Sequence, residues 1–368
     1  MTVARPNIPL MRPLLPTAEA LLPYLREIDD ARWYSNFGPM VDRFEYRLAS
    51  VLGLDIENLV CVASGTIGLT TCLRALDAPV GSYCLMPSWT FTASALAVKW
   101  SGMEPYFLDV DEASWMLNPD HVAQSIPEID REIGAVMPVS AFGAPVGVEA
   151  WDKFRKDTGI PVVIDAAAGF DGAAFGAAPA MISLHATKVF GVGEGALIAC
   201  RDLALAGRIR ALSNFGFAGK RESELVGINA KISEYTAAVG MAALDRWPKT
   251  RAAFGVATER YQDAFADVQG IALAPGLART NLRSTFNVRL VNSPATEFMA
   301  VLEAEGIATR QWWGLGCHRM PAFRETKRMP LPVTEALAAS VVGLPFSQDM
   351  HTEQFLAVRE ASLRALNR

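Results

Sequence analysis

The chain has 368 residues, 51% hydrophobic and 20% charged, which is enough apolar side chain for one large domain and a smaller one. Its formal net charge of −5 is spread over interspersed acids and bases, with no basic block to follow a phosphate backbone, so nucleic acid is excluded as an expected partner. Five cysteines in odd number and without paired spacings argue against a metal or disulfide framework, and no long uninterrupted apolar run offers a membrane span; a cytoplasmic protein is expected.

The start of the chain is broken by prolines and leads into an amphipathic stretch, Ala18 to Ile28, which predicts an arm with one helix. After the Gly38-Pro39 turn, Val41, Phe44, Leu48 and Val51 recur at helical spacing. From Leu59 to Ile198 short apolar runs alternate with helical patterns, the signature of βαβ units and a mostly parallel sheet flanked by helices. Ligands of such sheets sit beyond the carboxyl ends of the strands. Past Ile198 helical patterns take over, read as Ser233 to Trp247 and, after a Lys249-Thr250-Arg251 break, Ala252 to Val268. A smaller α+β segment runs from about Phe286 to the end.

Three places along this pattern can carry chemistry. Ser64-Gly65-Thr66 closes a strand and opens a helix, where free N–H groups and the helix dipole form a phosphate cup, although Ser and Thr are also ordinary helix caps. Asp165 ends the apolar run Pro161 to Ile164 and is read either as a cap on a following helix or as a buried anion awaiting a cationic ligand. Ser183 to Lys188 precedes Gly191, Gly193 and Gly195; a dinucleotide loop is rejected there because Ala196 to Ala199 reads as a strand where that fingerprint needs a helix.

Together with Gly38-Pro39, Pro87 to Phe91, Gly193-Glu194-Gly195, Gly227-Ile228-Asn229, Ser233-Glu234 and Leu344-Pro345, these segments resemble the DegT/DnrJ/StrS family of fold-type I pyridoxal-phosphate (PLP) enzymes, the sugar aminotransferases. The resemblance implies an aspartate-aminotransferase-like α/β fold with an arm and helix in residues 1–35, a large PLP-binding domain in 36–250 and a small α+β domain in 251–368. It implies that Lys188 holds the cofactor as a Schiff base and shuttles the proton, and that Asp165 pairs with the ring nitrogen. Gly65, Thr66 and Ser183 would hold the phosphate, Phe91 would lie against the ring, and Asn229 would reach the phosphate of the neighbouring subunit in a homodimer. Lys220, Arg221, Arg310 and Trp312, with Trp313 beside it, are candidates for substrate contact, with solvated charges or core packing as the alternatives. His185 is either a positioning group or a structural histidine, and Trp89 is read as core.

The implied activity is transfer of an amino group from a donor such as glutamate to a keto-sugar, nucleotide-linked, in amino-sugar biosynthesis. A transaminase of a non-nucleotide keto compound and a silent PLP-fold binding protein stand as alternatives. Two departures from the family pattern bear on the substrate. Ala168 stands where the family commonly has glutamine, and the histidine and tyrosine usual near Ser140 to Gly143 are absent.

Overall fold

Alternation of strand and helix carries the chain from α1 (Ala18–Ala31) and α2 (Pro39–Leu52) through β1 (Leu59–Val62), α3 (Gly65–Ala75), β2 (Tyr83–Pro87) and α4 (Thr92–Ser101). It continues with β3 (Glu104–Leu108), α5 (Pro119–Ser125), β4 (Ile133–Val136), α6 (Val148–Thr158), β5 (Ile164–Asp165), β6 (Ala180–Ser183) and β7 (Ala196–Ala199). Then come α7 (Leu203–Ser213), α8 (Glu234–Phe265), β8 (Ile271–Leu273), β9 (Phe286–Leu290), α9 (Ala295–Ala304), α10 (Pro332–Ser340), β10 (Val341–Leu344) and α11 (Thr352–Leu366). This computed structural model describes residues 8–278, 281–291 and 293–367; residues 1–7 of the expected arm lie outside the described residues.

A four-stranded sheet, β1-β7-β6-β5, and a three-stranded one, β3-β2-β4, are joined edge to edge by parallel bridges from Val136 to Val162 and from Val139 to Asp165. The strands run parallel except β7, which is antiparallel to both β1 and β6. Strands β1, β2, β6 and β7 are buried along their whole length because helices cover both faces, which is why their sequences are continuous apolar runs. The carboxyl ends of β2, β5 and β6 lead directly into Ser88, Ala166 and Leu184, and that of β1 leads through Ala63 into Ser64, which brings the motif residues to one edge of the sheet.

The expected break at Lys249-Thr250-Arg251 is absent, and α8 is a single helix of 32 residues with Pro248 inside it. Lys, Thr and Arg all accept helical geometry, and a proline removes only one backbone donor. Trp247, Phe254, Tyr261 and Phe265 are buried along the helix on either side of that point, and their packing holds it continuous. Glu234, in its first turn, is buried and accepts from the backbone N–H groups of Gly38, Met40 and Val41 at 3.0, 2.7 and 3.4 Å. A carboxylate thereby caps the start of α2, whose Gly38 N-cap offers no side chain of its own. A Cβ on Gly38 would come within 2.7 Å of that carboxylate, so the Gly38-Pro39 and Ser233-Glu234 motifs are two halves of one contact.

The carboxyl-terminal part is an antiparallel sheet in the order β10-β9-β8, with α9 and α11 packed together. The amino-terminal arm is tied to it. Ile8 pairs with Ile307, and Phe346 N–H donates to Leu10 O at 3.0 Å. No described helix is long and apolar enough to cross a membrane.

Candidate active site

The segments beyond β1, β2, β5 and β6 enclose a cavity of about 500 Å³. Gly65, Thr66, Phe91, Asp165, Ser183, Lys188, Arg310 and Trp312 all line it. Asn229, Lys220 and Arg221 do not: all three are exposed, with Lys220 and Arg221 in the loop spanned by the Phe217–Ser223 bridge.

Ser64 caps α3, its Oγ accepting from Ile67 N–H at 3.4 Å. Among the described residues nothing accepts from the amides of Gly65 and Thr66, which open the helix toward the cavity. Ser183 Oγ accepts from His185 N–H at 3.2 Å and keeps its own proton to donate. Two free amides at the positive end of a helix dipole, with a nearby hydroxyl, suit a phosphate dianion.

Asp165 is 5% exposed. No helix follows it, so the helix-cap reading is replaced by that of a buried anion. Oδ1 accepts from Ala167 N–H at 3.1 Å, and Oδ2 accepts from Ser94 Oγ at 2.7 Å. Burial raises its pKa, and the Ser94 and Ala167 hydrogen bonds and the charge of Lys188 only partly offset that. No described cation forms an ion pair with it. A buried carboxylate with hydrogen bonds but no ion pair suits a protonated ring nitrogen.

Lys188 follows the turn that Lys188 N–H closes on His185 O at 2.9 Å. Burial lowers its pKa, and Asp165 pulls the other way. The amine is thus more readily neutral than a surface lysine, as a nucleophile and proton carrier must be. Phe91 is 60% exposed although it lines the cavity, an uncovered ring face that a flat ligand would bury. His185 Nδ1 accepts from Thr187 N–H at 3.2 Å and lies 2.8 Å from Thr187 Oγ1, while Nε2 stands 3.6 Å from Glu194, so the ring braces the turn before the lysine.

The opposite wall is aromatic. Trp313 stacks on Phe142 with ring centres 4.0 Å apart and planes 13° from parallel, and both pack edge-on against Trp89, a core residue as expected. Arg310 lies 5.4 Å from the Trp312 ring centre and forms no ion pair with a described residue. Phe142 adopts a left-handed backbone, φ 51°, and Gly143 follows at φ 90°. A Cβ on Gly143 would lie 2.6 Å from Ala168 O, so this turn closes directly over the position where the family carries glutamine. The sequence names Trp313 beside Trp312 as a candidate for substrate contact and carries Thr90 and Phe142 within motif segments, but it gives no sign of Ser94 or of the contacts these residues make, which join distant segments.

Fold and site together define a PLP-dependent aminotransferase of fold type I. The chain belongs to the DegT/DnrJ/EryC1/StrS aminotransferase family, whose model matches residues 17–362. It is 30% identical to the dTDP-3-amino-3,4,6-trideoxy-alpha-D-glucose transaminase of Streptomyces venezuelae over 91% of this chain and 89% of that protein. A putative PLP-dependent aminotransferase from Bacillus cereus superposes with a TM-score of 0.88 at 30% identity, over 98% of this chain and all of its own. DesI, solved in the presence of its TDP-sugar product, superposes with a TM-score of 0.85 at 31% identity, over 98% of this chain and 93% of its own.

Proposed function

We propose that this protein transfers an amino group from an amino-acid donor such as glutamate to the keto group of a nucleotide-linked sugar, in amino-sugar biosynthesis. The observation that carries the reading is the convergence on one cavity of a buried, unpaired carboxylate, a poorly solvated lysine and two free helix-start amides. The sugar acceptor is taken from the relatives, one a dTDP-sugar transaminase and one solved with a TDP-sugar product.

PLP, when bound, supplies the electron sink that makes a substrate C–H acidic. Gly65, Thr66 and Ser183 would hold its phosphate, Phe91 would cover its ring, and Asp165 would keep its ring nitrogen protonated. Lys188 would carry the proton between the substrate carbon and the cofactor in each half of the reaction, a task that suits an amine whose pKa burial has lowered. Arg310, with no ion pair among the described residues, offers a cation for an anionic substrate group, and Trp312 and Trp313 offer ring faces for the C–H side of a sugar ring.

Asn229, exposed and outside this chain's cavity, is assigned to the phosphate of a neighbouring subunit in a homodimer. Lys220 and Arg221 are left as solvent-facing charges with respect to this chain's own cavity. The arm, large domain and small domain are taken as 1–35, 36–250 and 251–368, with α8 crossing the last boundary. Five unpaired, buried cysteines favour the cytoplasm.

Two arms test the reading. Glutamate added to the PLP-loaded protein should discharge its visible absorption and yield 2-oxoglutarate, and a panel of nucleotide-linked keto-sugars should then show the keto-to-amine mass change. Turnover by Lys188→Ala, or no visible absorption after PLP is added, contradicts it. Conversion of simple keto acids but of no nucleotide-linked keto-sugar would favour the second reading, a non-nucleotide acceptor, which Ala168 and the aromatic wall support.

A further inference from the structure

The environment of Asp165 contains a device that the cofactor chemistry does not by itself require. Ser94 is 1% exposed and Thr90 is 1% exposed, and their hydroxyl oxygens lie 2.9 Å apart. Ser94 Oγ in turn lies 2.7 Å from Asp165 Oδ2. A serine has one proton to give. When Asp165 is ionised that proton points to the carboxylate, so the hydroxyl of Thr90 must donate to Ser94. When the group at position 165 is protonated, the chain can run the other way.

Both hydroxyls sit at the start of α4, and Thr90 has a second tether. Ser94 is in the first turn of α4, its N–H bonded to Phe91 O at 3.1 Å, so Asp165 meets the positive end of that helix. Thr90 precedes α4 and is held from the carboxyl-terminal part of the chain: Cys317 N–H donates to Ser88 O at 2.8 Å, Cys317 Sγ–H lies 3.6 Å from Thr90 O, and His318 Nδ1 lies 2.7 Å from Ser88 Oγ. The segment carrying Thr90 thus cannot swing away without breaking its contacts with Cys317 and His318.

We propose that Thr90 and Ser94 form a positioning relay that orients Asp165 and keeps it ionised, with Thr90 acting only through Ser94. The inference rests on Asp165 being the partner of the ring nitrogen. The facing groups are few: Lys188 is the charged group that bears on Asp165, Ser94 and Ala167 N–H are its donors, and His318 reaches the same strand end through Ser88 with no hydrogen bond to Thr90 or Ser94. Since burial pushes the Asp165 carboxyl up and the Ser94 hydrogen bond pulls it down, loss of the relay favours the protonated form.

The test uses the apoprotein and its PLP complex. Infrared difference spectroscopy of the apoprotein across pH, with Asp165→Asn to assign the carboxyl band, reads the protonation of Asp165; PLP titration reads affinity. In Ser94→Ala the midpoint should move up and PLP affinity should fall about tenfold, the loss of one hydrogen bond to a charged group. Thr90→Val should move both in the same direction by less, Ser94→Thr should restore both, and the double variant should match Ser94→Ala alone. Unchanged midpoint and affinity in Ser94→Ala overturns the relay, and additive losses in the double variant overturn the claim that Thr90 acts through Ser94. If Asp165→Asn itself binds PLP and turns over normally, the assignment of Asp165 falls instead, and the apoprotein titration still judges the relay.

Discussion

Replacing Asp165 by asparagine separates what the carboxylate does for the reaction from what it does to the fold. The side chain is 5% exposed, so whatever cation it pairs with is held where water screens little. Leaving one partner of such a buried pair uncompensated costs about 3–5 kcal/mol, which corresponds to roughly a hundred- to several-thousandfold in rate. The donor half-reaction, followed as a single turnover with glutamate, should slow by that factor. The apoprotein should respond in the opposite sense. An amide at this position can accept from Ala167 N–H and donate to Ser94, whose proton then turns to Thr90, so every hydrogen bond is kept without a buried charge. Burial raises the folded-state pKa of Asp165 above its unfolded value, so the folded state binds more protons between those two values and wild-type stability falls as pH rises through that window. The stability difference, asparagine minus aspartate, should therefore grow with pH across the window and level off above the folded value, as read from urea unfolding at a series of pH values. A variant with a half-reaction rate within threefold of wild type and no gain in apoprotein stability would refute the reasoning.

Glu234→Ala should destabilise the fold by about 2–4 kcal/mol, because three backbone donors at the start of α2 lose a charged acceptor; Glu234→Gln should cost less, and urea unfolding reads both. Gly143→Ala should cost about 2 kcal/mol or more from its positive φ and the encounter with Ala168 O, with a lowered unfolding midpoint as the readout. Trp313→Ala, which removes the stack on Phe142, should lower kcat/KM for the sugar acceptor about tenfold while the donor half-reaction stays within about threefold of wild type. If Asn229 serves the neighbouring site, mixing inactive Lys188→Ala and Asn229→Ala proteins under exchange should restore about a quarter of wild-type activity, since each mixed dimer keeps one intact site.

Much of this arrangement was legible in the order of short motifs. Apolar runs ending in Ser64, Asp165 and Ser183 mark strand ends, and βαβ alternation brings strand ends to one edge, so the cradle and the carboxylate follow from local pattern. The pairing of Gly38 with Glu234 was visible only as two motifs, because a hydrogen bond between residues so far apart leaves no periodic trace. The stack of Trp313 on Phe142 is hidden for a similar reason: the left-handed turn at Phe142 and Gly143 brings the former onto a ring from the carboxyl-terminal part, and no window of sequence contains both. Thr90 is legible as part of the Pro87 to Phe91 motif and Ser94 as a residue of the helix after it, and only the fold sets Asp165 against Ser94. The break expected at Lys249-Thr250-Arg251 does not occur, since burial of Phe254, Tyr261 and Phe265 holds the helix together past the one backbone donor that Pro248 removes.

The most direct test of the central claim is reductive trapping of the PLP-loaded protein with borohydride, followed by peptide mapping. The account predicts the phosphopyridoxyl group on the side-chain amine of Lys188 and none in Lys188→Ala. A label on another lysine, or none in the wild-type protein, would contradict it.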